Sequence, residues 1–203
     1  MGDRIAYVPW SRGSNLAGEY VAKVQSWNDD KDQTHGKHEY DLVFYQDLNT
    51  KSVIRALPYG HRIYIKGHGI PGDHKIYPNN NCNDAEGMKY DDVADHLIES
   101  GLQKRWVGVI VCDNCYSAVP NSGTQAFAAK FSQYMRGKGY LMISFIGYFG
   151  PATSKYDVPD RDGHKYWHRE VRPFDEDMPL IGAKSGSALE QWRIKSKWAQ
   201  WRF

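Results

Sequence analysis

The apolar positions of this chain follow two rhythms. "RIAYVPW" (4–10), "EYDLVFYQD" (39–47) and "RIYIKGHG" (62–69) are short runs rich in aromatic and aliphatic residues, and Ile63 and Ile65 fall two apart. That period belongs to strands, and each run is too short for a helix. "WVGVIVCDN" (106–114) and "YLMISFIGYFG" (140–150) are nearly continuous apolar runs, the pattern of strands buried within a parallel sheet. Helical spacing appears between them. "SNLAGEYVAKVQSW" (14–27) sets Leu16, Tyr20, Val24 and Trp27 at helical intervals behind Ser14 as a cap. "YDDVADHLIESG" (90–101) places acids in its first turn, Val93, Ala94, Leu97 and Ile98 on one face, and Gly101 where it must stop. "SGTQAFAAKFSQYM" (122–135) repeats the helical pattern with Phe127, Phe131, Tyr134 and Met135.

The order strand, helix, strand, strand, helix, strand, helix, strand predicts an α/β sandwich with a mostly parallel central sheet and right-handed crossovers. "NDDKDQTHGKH" (28–38) reads as a loop, and "HGIPGDHKIY" (68–77), with two breakers, as a short surface excursion. Residues 151–186 are polar and irregular, a surface extension in which Asp162-Gly163 signals a small hairpin around "HKYWHREV". The tail 187–203 opens with a capping box, Ser187 to Glu190, and sets Ile194, Trp198 and Trp201 on one face of an amphipathic helix. There is no internal repeat, so the reading is one domain over 1–203.

Composition narrows the function classes. Hydrophobic residues are 41% and charged residues 25%, which is the balance of a folded globular chain. A net charge of +2, from 26 bases against 24 acids, excludes nucleic-acid binding driven by charge alone. No run approaches the roughly 18 apolar residues that span a bilayer. "MGDRIAYVPW" lacks a basic start followed by an apolar signal core, so the expectation is a cytoplasmic protein or one exported without a cleavable signal. Three unevenly spaced cysteines make no disulfide framework, and Cys82, in the Asn-rich "NNNCND", reads as an exposed bystander. Nothing in the sequence fixes the oligomeric state.

Ligands and catalytic groups of open parallel sheets collect at the carboxyl ends of the strands. Two such ends carry reactive residues: "IYIKGHG" closes on His68-Gly69, and "VIVCDNC" closes on Cys115, 47 residues later with one helix between. If the strands are neighbours, about 4.8 Å apart, the two side chains can converge as a nucleophile and a general acid/base. Cys112 and Cys115 also form a Cys-x-x-Cys, the spacing of a dithiol redox site, although Cys112 lies inside the strand rather than at a helix start. A zinc site drawing on the eight histidines lacks a second ligand pair at convincing spacing.

"IYIKGHG" followed by "VIVCDNCYSA" resembles the caspase-like, or clan CD, cysteine peptidases, which include metacaspases, clostripain and the self-processing peptidases of RTX toxins. The resemblance covers roughly 60–150 and implies a caspase-like three-layer sandwich acting as a cysteine endopeptidase on protein or peptide substrates, with no metal or organic cofactor. It implies that Cys115 is the nucleophile, that His68 protonates the leaving amine, and that the backbone N–H groups of Gly69 and Cys115 meet the oxyanion. "DNCYS" resembles the metacaspase pattern of Asp, any residue, Cys, any residue, Ser, which implies that Asp113 sits at the floor of a pocket selecting Arg or Lys. Two departures stand out: the first third does not align, and no acidic calcium site is recognisable. Some bacterial relatives are toxins or process themselves, and a chain keeping only the fold would be a non-catalytic interaction module.

Overall fold

The structure, a computed structural model, describes residues 4–13, 20–22, 24–25, 40–79, 81–120, 124–148 and 200–202. Five parallel strands make the sheet: β1 (Arg4–Ser11), β2 (Tyr40–Tyr45), β3 (Arg62–Lys66), β6 (Gly108–Asp113) and β7 (Ile143–Tyr148). A sixth, β8 (Gln200–Arg202), pairs antiparallel with β7, and the spatial order is β2-β1-β3-β6-β7-β8. β4 (Lys75–Ile76) and β5 (Met88–Lys89) form a separate two-stranded ribbon in the excursion after β3. The helices are α1 (Thr50–Arg55), α2 (Tyr90–Glu99) and α3 (Phe127–Gly137), and residues 20–22 and 24–25 are also helical. This is the α/β fold with a mostly parallel sheet and flanking helices that a caspase-like sandwich requires.

Strand alternation divides the core between the two faces of the sheet. On one face Ile5, Tyr7, Ile63, Ile65, Ile110, Cys112, Ile143 and Phe145 pack with Val93, Ala94 and Leu97 of α2 and Phe127, Phe131 and Met135 of α3. On the other, Ala6, Tyr40, Tyr64, Val111 and Tyr148 gather with Val24. The acids predicted to open the 90–101 helix, Asp91 and Asp92, occupy its first turn. Gly101 ends it with φ +103°, a backbone conformation that favours glycine.

Two stretches differ from the sequence reading. Thr50–Arg55 is a helix the apolar pattern did not announce; it is only six residues long, and Thr50 Oγ1 anchors it by donating to the Phe44 carbonyl at 2.6 Å. Gln200–Arg202, read as the end of an amphipathic helix, is instead an edge strand, with Ile146, Gly147 and Tyr148 of β7 as its register partners. Pairing with β7 satisfies backbone groups that an edge would otherwise present to water, and this overrides the helical spacing of the tail. The predicted extension and hairpin of 151–186, the helix over 187–199, and Ser14, Leu16 and Trp27 lie outside the described residues.

Candidate active site

β3 and β6 are neighbours, and their register runs Arg62↔Val109 through Lys66↔Asp113. His68 and Cys115 each lie two residues beyond that last pair, so the two strands end level with one another. The backbone of His68 is fixed by a two-way bridge to Tyr77: the His68 N–H donates to the Tyr77 carbonyl at 2.7 Å, and the Tyr77 N–H donates back at 2.8 Å. Tyr20 places its ring 6.0 Å from the His68 imidazole. His68 and Cys115 are both half-buried.

Gly69 joins the two segments. A β-carbon built there would fall 2.3 Å from the Cys115 carbonyl oxygen and 2.8 Å from Asn114 Nδ2, so only glycine lets the backbone after His68 lie against the backbone of Cys115. Asn114 is itself buried, and its Oδ1 accepts no hydrogen bond among the described residues. Beyond Cys115 the chain turns through Tyr116 at φ +57°, a left-handed conformation uncommon for a bulky side chain. Ser117, fully buried, stabilises the turn by donating from Oγ to the Cys112 carbonyl at 2.8 Å and accepting the Tyr148 N–H at 2.9 Å. The turn carrying Cys115 is therefore tied to both β6 and β7.

The other two cysteines have distinct surroundings. Cys112 is fully buried among the apolar side chains of the helix-packed face; burial, and secondarily the charge of Asp113, pushes its thiol well above the ordinary range. A thiol held protonated in this way is a poor nucleophile and a poor redox partner. Cys82, expected to be exposed, is half-buried. Burial raises its thiol first, followed by the charges of Cys115 and Asp73.

Asp113 is only 7% exposed and Lys66 3%. Lys66 Nζ donates to Asp113 Oδ2 at 2.5 Å, with the ammonium 5.6 Å from the Tyr40 ring centroid and 5.9 Å from that of Tyr64. The acid that the resemblance assigned to a pocket floor thus has a cation beside it supplied by the neighbouring strand. Sequence reasoning missed Lys66, yet a signal was present: it precedes Asp113 by 47 residues, the same separation as His68 from Cys115.

An open groove of about 590 Å³ lies at the outer edge of β2, lined by Arg12, Leu42, Val43, Asp47 and Val53 among others. It includes neither His68 nor Cys115 and no cysteine or histidine lines it, so the strand ends are the better chemical candidate. Among the described residues no group of three His, Cys, Asp or Glu side chains is arranged to hold a metal ion, and no helix is long and apolar enough to cross a membrane.

No family model matches this sequence, and no curated protein is significantly similar to it. Among solved structures, the chain is similar to a secreted C11 cysteine protease from Bacteroides thetaiotaomicron in complex with an irreversible peptide inhibitor, at 13% identity and a TM-score of 0.38. That match covers 73% of this chain and 49% of the other, so the chain spans about half the length of that protease.

Proposed function

We propose that this chain is a cysteine endopeptidase of the caspase-like kind. Cys115 passes its thiol proton to His68 as Sγ attacks the scissile carbonyl, and the oxyanion that forms is met by the N–H groups of Gly69 and Cys115. His68 protonates the departing amine, and water then hydrolyses the thioester to return free Cys115. The observation that carries this reading is the close approach of Gly69 to the Cys115 backbone, which brings the His68 and Cys115 segments to one point at adjacent strand ends. Asp113 is the group through which a preference for Arg or Lys before the scissile bond would act. Its condition is set by Lys66: a basic side chain gains from this carboxylate only where it can compete with the ammonium already bonded to it.

A peptidyl acyloxymethyl ketone tests the reading directly, because it alkylates a thiolate positioned for catalysis. Mass spectrometry is expected to find the label on Cys115, with labelling and peptide cleavage both lost in Cys115→Ala and cleavage lost in His68→Ala. Labelling spread evenly over Cys82, Cys112 and Cys115, or full cleavage by Cys115→Ala, would refute it. A folded protein that neither labels nor cleaves would point to an interaction module on the same fold.

A further inference from the structure

We infer that Lys66 is the specificity-determining residue of this site: by neutralising Asp113 from within the sheet, it leaves the enzyme without a strong preference for basic over neutral side chains before the scissile bond. The inference rests on the peptidase reading above and concerns only which substrates that site accepts.

Three observations carry it. Lys66 and Asp113 are register partners on adjacent strands, so the contact is built into the sheet rather than made by a wandering side chain. Both side chains are almost wholly buried, at 4% and 5% exposure, and their charged atoms are 2.5 Å apart. The ammonium also stands near the faces of Tyr40 and Tyr64, two further elements of a cation site that Lys66 itself fills. An incoming Arg or Lys would bring a second positive charge into a dry region whose negative charge is already matched. It would meet repulsion from Lys66 as well as attraction from Asp113, and the two largely cancel. A neutral side chain meets neither. Lys66 acts on the substrate's charge, both directly and by neutralising Asp113, and takes no part in the chemistry at Cys115 and His68.

The test compares peptides that differ only in Arg or norleucine before the scissile bond, reading the ratio of their kcat/KM values on each variant. Both substrates see the same folded fraction of enzyme, so the ratio is unaffected by a merely structural loss. Wild type is expected to show a ratio within about tenfold of unity, and Lys66→Arg, which keeps the charge, a similar one. Lys66→Gln is expected to raise the ratio at least about tenfold, and adding Asp113→Asn to it should bring the ratio back. Should Lys66→Gln fail to fold, Asp113→Asn alone decides: a ratio that falls below the wild-type value, because repulsion from Lys66 then acts unopposed, supports the inference, and an unchanged or higher ratio overturns it. A strong wild-type preference for Arg that Asp113→Asn abolishes would overturn it, as would an unchanged ratio in folded Lys66→Gln. If no variant cleaves any peptide, the peptidase reading has failed, and calorimetric binding of benzamidine still decides this one. Tighter binding to Lys66→Gln than to wild type, lost in the double variant, supports the inference, and equal or absent binding overturns it.

Discussion

The backbone of Gly69 lies so close to that of Cys115 that a β-carbon at position 69 would sit 2.3 Å from the Cys115 carbonyl oxygen. This contact makes Gly69→Ala the most informative small substitution in the protein. Backbone cannot yield as a flexible side chain can, so the His68 and Cys115 segments must separate. The expected outcome is a destabilisation of about 1–3 kcal/mol, typical of overpacking. A larger effect is expected on chemistry, about 100-fold in kcat/KM per folded molecule, because small displacements of reacting groups are costly. Urea denaturation and peptide cleavage on the same preparation check both numbers. A variant that is destabilised yet fully active would show that the contact has no part in positioning the site.

Ser117 makes a second prediction. Its hydroxyl bridges the Cys112 carbonyl and the Tyr148 N–H in a fully buried position, holding the turn that presents Cys115 between β6 and β7. Ser117→Ala leaves both groups without this partner, and a cost of about 1–3 kcal/mol is expected from the desolvated backbone atoms. Alkylation of Cys115 by the acyloxymethyl ketone should slow as the turn loosens, while general thiol reagents should react with Cys115 no more slowly than before. The two labelling rates, measured side by side, separate loss of positioning from loss of access.

What could be read in the sequence followed from how locally each feature is encoded. β3, β6 and β7 are apolar runs whose burial needs no partner to predict, and α2 announces itself through Asp91 and Asp92 in its first turn and Gly101 at its end. The adjacency of the two strands that lead into His68 and Cys115 was also legible, because a parallel sheet tends to place such strands side by side. α1 was not, since six residues including Thr50, Val53 and Ile54 carry little helical signal and depend on the Phe44 carbonyl and on burial of Ile54. Lys66 was the costliest omission. A lysine at the end of a strand ordinarily reaches solvent, and only the register with Asp113 turns it into a buried counter-ion.

Cys112 separates a single-thiol mechanism from a paired one. Its thiol is fully buried in the apolar core and held protonated by that burial, whereas Cys115 stands in a half-buried turn. Cys112→Ala and Cys112→Ser should both keep the specific activity of the folded enzyme. Cys112→Ser should be the less stable, by about 1–3 kcal/mol relative to wild type, because its hydroxyl is a polar group among Ile65, Ile110 and their neighbours. Loss of cleavage in Cys112→Ala equal to that in Cys115→Ala would instead favour a dithiol.

Alkaline pH should expose the buried phenols. Tyr7 is fully buried on the helix-packed face of the sheet, with its hydroxyl 2.8 Å from Ser100 Oγ. Burial raises its pKa above the ordinary tyrosine value near 10; the Ser100 hydrogen bond offsets part of this, and the nearby charges of Tyr45 and Glu99 add to it. The folded protein therefore keeps a proton that the unfolded chain releases once the pH passes about 10. With the folded pKa raised, the stabilising contribution is fully present below the unfolded value and is lost as pH rises through the folded one. Tyr77, raised first by burial and then by its hydrogen bond to Asp73, acts in the same direction. The urea midpoint of the wild type is thus expected to fall above about pH 10. Tyr7→Phe should lose about 1 kcal/mol at neutral pH through the missing hydroxyl, yet decline less steeply on the alkaline side. Parallel alkaline curves for the two proteins would show that the Tyr7 proton is not part of the folding equilibrium.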